Sequence, residues 1–233
     1  ASWNSTLTDE VTIALASVPS AQPRSRLGTR DALTGRTVAG YTGAAMRTPI
    51  DERYFCDGST VVLLSQSLGG SGIAPEALSE TLLDGPAEAV ADLLRWGVCL
   101  PIDFGTDCAL DSSTLFVVGE LDDAHERGWV ASLSGWLAIP CGKLVLVCGG
   151  GAGDELARAV SGEPADPDYC IYQTIDVPPG DYRVDVLAYP ESVTLGLMHE
   201  DLDEDEIREK YADRPVVEEA YVVRLTPLEA EVP

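Results

Sequence analysis

Val177-Pro178-Pro179-Gly180-Asp181-Tyr182-Arg183-Val184-Asp185-Val186 leads a β-strand out of a tight turn. The prolines preset φ for a turn, the glycine offers a positive φ, and Tyr182, Val184 and Val186 then share one face at a period of two. Upstream, Gly135-Trp136-Leu137-Ala138-Ile139-Pro140-Cys141-Gly142-Lys143-Leu144-Val145-Leu146 reads as two strands around a Pro-x-Gly turn. Downstream, Glu219-Ala220-Tyr221-Val222-Val223-Arg224-Leu225-Thr226-Pro227 supplies another. From residue 97 onward further strands are expected at 98–102, 114–118, 129–133, 136–139, 144–148, 170–175, 182–188 and 220–225, separated by Gly, Pro and Asp turns. Short strands punctuated in this way predict a mainly β fold, an antiparallel β-sandwich with a few short helices.

Before residue 97 the pattern changes. Residues 17–50 are rich in Ser, Thr, Gly, Ala and Pro, hold five arginines, and sustain no period of 2 or 3.6. They read as an extended arm. Thr60-Val-Val-Leu-Leu-Ser65 is a strand whose apolar run suggests burial on both faces. Leu78, Leu82 and Leu83, then Val90, Leu93 and Leu94, recur at helical spacing and are interrupted by Gly85-Pro86, which predicts two short helices. The chain is thus divided into an N-terminal part, 1–96, and a sandwich, 97–233, with one continuous domain as the alternative. Residues 154–160 and the acidic 201–211 are expected as short helices within the second part.

The 233 residues hold 39 acids against 15 bases, a net charge of −24. Residues 1–50 carry +2, so the whole deficit follows them, −26 over 51–233. Such a charge disfavours a nucleic-acid backbone or an anionic membrane as partner. No stretch approaches a membrane span and Ala1-Ser2-Trp3-Asn4 does not open a signal peptide, so a cytoplasmic location is expected. Cys56, Cys99, Cys108, Cys141, Cys148 and Cys170 form no Cys-x-x-Cys pair. Buried thiols are expected, with no metal.

Several stretches approach a catalytic or binding motif and depart from it. Leu144 to Cys148, then Gly149-Gly150-Gly151-Ala152-Gly153 and a helical 154–160, has the order strand, glycine turn, helix of a dinucleotide site. Asp154 or Leu156 stands where the last glycine belongs, and Asp154 and Glu155 would face the phosphates, so no cofactor is expected. Cys148 sits beside the same acids, which disfavour its thiolate. His125 and His199 lie among carboxylates and read as surface residues with protonation slightly favoured. Ser71 lacks a nucleophile elbow. Asp201-Leu-Asp203-Glu204-Asp205-Glu206 begins like a calcium loop, but Glu206 and Ala212 replace its glycine and bidentate glutamate. No catalytic residue is assigned.

The order of strands and turns over roughly 135–227 resembles the C-terminal β-sandwich of many bacterial proteins and, more loosely, the competence protein J and polymorphic-toxin immunity families. Competence protein J inhibits a DNA-entry nuclease. The resemblance implies a non-enzymatic inhibitor or immunity protein. Together with the acidity, it points to Asp201, Asp203, Glu204, Asp205 and Glu206 as a patch that covers the basic site of a toxin or nuclease. An enzyme or nucleotide-binding protein using the glycine loop after Cys148, and a self-associating structural protein, are the alternatives.

Overall fold

Residues 45–107, 110–149 and 153–228 are described by a computed structural model. In chain order the elements are β1 (Met46–Pro49), β2 (Thr60–Ser65), a 3-10 turn (Leu68–Gly70), α1 (Pro75–Asp84), α2 (Ala87–Arg95), β3 (Cys99–Asp103), β4 (Thr114–Val118), α3 (Asp123–Gly128), β5 (Ala131–Ile139) and β6 (Lys143–Cys148). Then follow α4 (Gly153–Ser161), β7 (Tyr172–Asp176), β8 (Gly180–Ala188), α5 (Val193–Met198), α6 (Glu204–Lys210) and β9 (Tyr221–Pro227). The fold is mainly β. One sheet has the order β1-β4-β9-β8-β5, the other β3-β2-β6-β7.

β2 lies between β3 and β6, which accounts for its apolar run: five of its six residues are buried. The expected boundary at 96–97 falls just before β3, so β2 is hydrogen-bonded on both sides to strands that follow it. Among the described residues the named strands all pair antiparallel except β4 with β9, which run parallel from Thr114 opposite Tyr221 to Val118 opposite Leu225. A purely antiparallel arrangement is therefore corrected. β9 arrives after a long connection and enters between β4 and β8 instead of closing a hairpin.

One apolar cluster draws on both sheets. It takes Leu63, Leu100, Leu144 and Leu146 from the four-stranded sheet and Phe116, Leu137, Val184, Val186, Val223 and Leu225 from the five-stranded one. A second cluster, Leu115, Val117, Leu187, Tyr189 and Val222, covers the opposite face of the five-stranded sheet. Alternate residues of β4 serve one cluster and then the other, and all five are buried. Tyr182, Val184 and Val186 share the buried face that their alternation requires. Gly180 does not take the positive φ offered for it; it opens β8 opposite Ile139. The positive φ falls at Gly142 (+72°), in the turn between β5 and β6.

The two expected strands at 129–133 and 136–139 are one strand, β5, paired with β8 along its whole length. Gly135 does not break it because Leu100 fills the space above: a Cβ there would meet Leu100 Cδ1 at 2.5 Å. Within the expected arm, residues 46–49 form β1, an edge strand that tolerates Pro49 because one side needs no donor. Residues 17–44 lie outside the described residues. Pro75 opens α1, and α2 ends at Arg95 with Trp96 as its cap, followed by Gly97, whose φ of +62° and close approach to Trp136 leave no room for a side chain. α3 and α5 were not expected; both are six-residue helices, too short to show a period.

Candidate functional site

α6 is specified by its first turn. Asp203 accepts a hydrogen bond from the Glu206 N–H at 2.9 Å, and the Glu206 carboxylate accepts from the Asp203 N–H at 3.0 Å. This reciprocal pair caps the helix. Asp205 forms an ion pair with Arg208 at 2.9 Å. Ile207 is the buried residue that seats the helix, while Glu200, Asp201, Asp203, Glu204, Asp205 and Glu206 are all exposed. Of the five acids singled out by sequence, Asp203 and Glu206 thus hold the helix end, and Asp201, Glu204 and Asp205 face outward beside them. The segment gathers them at the junction of α5 and α6, which touch.

His199 closes this junction. Its Nε2 lies 2.8 Å from the Tyr211 hydroxyl and its Nδ1 3.5 Å from Lys210 Nζ. Burial, and then the Lys210 charge, lower its pKa. Slightly favoured protonation is therefore corrected: partial burial of the ring, and then the Lys210 charge beside it, outweigh the nearby Asp201 carboxylate. His125, expected at the surface, is not a surface residue. It is buried, with Nδ1 2.7 Å from Asp122 Oδ1 and Nε2 3.1 Å from Glu219 Oε2. Asp122 also accepts from the His125 and Ala124 N–H groups as the α3 cap, which drives its pKa well below the usual carboxylate range. His125 fastens α3 to the approach to β9, a structural task.

The thiols are disposed differently from expectation. Cys56 and Cys148 form a disulfide, with Cα atoms 5.1 Å apart, so two of the expected buried thiols are bridged. Ninety-two residues separate the partners, and only the pairing of β2 with β6 brings the end of β6 near residue 56. Cys148 is therefore not a free nucleophile. Cys99 and Cys170 are buried thiols, and Cys141 is exposed. Burial pushes the Cys99 thiol up to about 12 and raises Cys170, so neither offers a thiolate near neutrality. Cys108 lies outside the described residues, as do Gly150, Gly151 and Ala152 of the glycine loop. Among the described residues no three metal-ligating side chains converge.

A cleft of about 420 Å³ opens beside β7, lined among others by Asp51, Arg53, Gln66, Lys143, Glu163 and Tyr172. Its charges are matched internally: Arg53 Nη2 lies 2.7 Å from Asp51, Lys143 is paired with Asp176, and Arg158 with Glu163. The Arg53 hydrogen bonds hold Asp51 at a pKa of about 2. Gln66 and Gln173 add neutral hydrogen-bonding groups. The two carboxylates of the lining, Asp51 and Glu163, are both engaged in ion pairs with arginines, and burial raises the pKa of the Cys170 thiol that lines the cleft with them. No sequence signal marks this cleft, since residues 51–53, 143 and 163–174 meet only through strand pairing. The described surface presents carboxylates and hydrogen-bonding groups.

Comparison with known proteins adds little to this geometry. No protein-family model matches the chain, and no curated protein does. Among solved structures it is similar to the product of crocagin biosynthetic gene J, at 16% identity and a TM-score of 0.34, over 79% of this chain and 96% of that one. It is also similar to ComJ, inhibitor of the DNA degrading activity of NucA, from Bacillus subtilis, at 8% identity and a TM-score of 0.33, over 80% of this chain and 96% of that one.

Proposed function

We propose that this protein is a non-enzymatic binding protein of the inhibitor or immunity type, a β-sandwich whose acidic surface covers the basic site of a protein partner. The observation that carries the reading is the exposed run of carboxylates from Glu200 to Glu206, six acids in seven residues. It lies in a chain that bears −26 over residues 51–233. Carboxylates held outward by a capped helix stand in for phosphates, so a nuclease or toxin that binds phosphate would be occluded by them. Long-range attraction of this kind raises the rate of encounter more than the final affinity.

The Cys56–Cys148 bridge bears on where this happens. Disulfides persist in oxidising compartments and are rare in a reducing cytoplasm. The cytoplasmic location expected from the sequence and the bridge pull in opposite directions, and the bridge is the more direct observation. Affinity capture from the native lysate at low and high salt tests the function. The reading requires a basic protein that is retained at low salt, released at high salt, and not retained by Asp201→Asn/Glu204→Gln/Asp205→Asn. Equal retention by the variant would contradict it.

A further inference from the structure

Phe55 and Tyr169 are exposed aromatic side chains, 42% and 47% accessible, from segments more than a hundred residues apart. Their ring centroids lie 5.8 Å apart at 49°. The contact is not a surface accident of two mobile loops. Tyr54 and Cys170, the buried neighbours, pair as an isolated parallel bridge, and the Phe55 N–H donates to the Cys170 carbonyl at 2.9 Å. One residue further on, Cys56 is bonded to Cys148 at the end of β6. Burial alternates along Arg53 to Asp57, so Arg53, Phe55 and Asp57 point out while Tyr54 and Cys56 point in. The aromatic pair thus stands on backbone anchored by a bridge on one side and a disulfide on the other. Backbone already fixed in place loses little freedom on binding.

The surroundings give the sign of the partner. Asp57, Asp166 and Asp168 are exposed on the two segments that carry the rings, and none forms an ion pair among the described residues. Arg53, the nearest cation in sequence, is occupied by Asp51. An apolar aromatic centre with a polar rim is the anatomy of a protein interface, and aromatic anchors near its middle carry most of the binding energy. Exposed carboxylates on both ring-bearing segments repel phosphate, which argues against nucleic-acid bases as what stacks on the rings. A second copy of a chain with net charge −24 would bring the same carboxylates face to face.

We infer that Phe55 and Tyr169 form the anchor of a docking face for an arginine-bearing, partly apolar segment of a basic protein, the guanidinium stacking on the rings and pairing with Asp57, Asp166 and Asp168. This rests on the reading of the protein as a binder of basic partners and adds to the α6 acids a separate anchor beside the β7 cleft.

A short fluorescein-labelled peptide of alternating arginine and leucine is the probe, followed by anisotropy with the full chain at near-physiological ionic strength. Wild type binds it and does not bind the same peptide with glutamate for arginine. Phe55→Ser/Tyr169→Ser weakens binding roughly 10-fold or more, while Phe55→Tyr and Tyr169→Phe retain it. Asp57→Asn/Asp166→Asn/Asp168→Asn weakens it and flattens its salt dependence. Both rings are exposed, so an unchanged melting temperature verifies that the serine variant folds. Affinity of that variant within about 2-fold of wild type, or no binding to wild type, overturns the proposal. So does a dimer that disappears in the serine variant, which would assign the face to a second copy. Asp201→Asn/Glu204→Gln/Asp205→Asn, run in parallel, separates the two readings: loss there with no loss at the rings leaves the acidic binder standing and removes this face.

Discussion

Asp185 is 2% exposed and accepts four hydrogen bonds, from Ser134 Oγ at 2.6 Å, Arg183 Nε at 2.9 Å, and Arg224 Nε and Nη2 at 3.3 and 3.0 Å. It ties β5, β8 and β9 together on one face of the sheet. Asp185→Ala leaves two guanidinium groups without their buried counter-charge. The arginines reach solvent, which softens the loss to about 2 kcal/mol, below the full cost of breaking a buried pair; urea unfolding reads it. His199 behaves oppositely to a paired histidine. Burial and Lys210 lower its folded pKa below the ordinary value of 6.5, so the unfolded chain takes up the proton first as pH falls. Its contribution is neutral above that value and destabilising beneath it. Melting temperatures measured between pH 7 and 5 should therefore fall less for His199→Gln than for wild type; parallel curves would refute the assignment.

At the scale of elements, the disulfide staples the start of the four-stranded sheet to the end of β6, closing a loop of 92 residues. By the chain-entropy argument, its reduction costs about 4.6 kcal/mol. Urea midpoints with and without reductant measure this, and non-reducing peptide mapping should recover Cys56 linked to Cys148. Six free thiols in the oxidised, denatured chain would contradict the bridge. The elements themselves were largely legible. The apolar run Thr60–Ser65 gave a strand buried on both faces, and Gly85-Pro86 marked the break between α1 and α2. What escaped was set by tertiary contact. β5 continues through Gly135 because Leu100 packs there, β9 pairs parallel to β4 across a long connection, and α3 is fixed by an Asp122 cap and a buried His125. No periodicity within a short segment reports such contacts.

For the whole molecule, charge was readable from composition, while its geometry was not. The run 201–206 announced itself as acidic; the Asp203-x-x-Glu206 spacing is that of a capping box but is hidden among neighbouring acids, and the fold separates these two from Asp201, Glu204 and Asp205, the outward-facing set. The cleft beside β7 and the Phe55–Tyr169 pair were invisible for a simpler reason: each joins segments that only the fold brings together. Among the described residues no helix is long and apolar enough to cross a membrane.

The central claim is that acids on this surface draw in and cover a basic partner. The most direct test is the association rate of the captured partner with wild type and with Asp201→Asn/Glu204→Gln/Asp205→Asn, measured by stopped flow across ionic strength. The account predicts a wild-type rate that falls steeply with salt, a variant rate several-fold lower at low salt, and convergence of the two at high salt. Rates that coincide and do not respond to salt would contradict it.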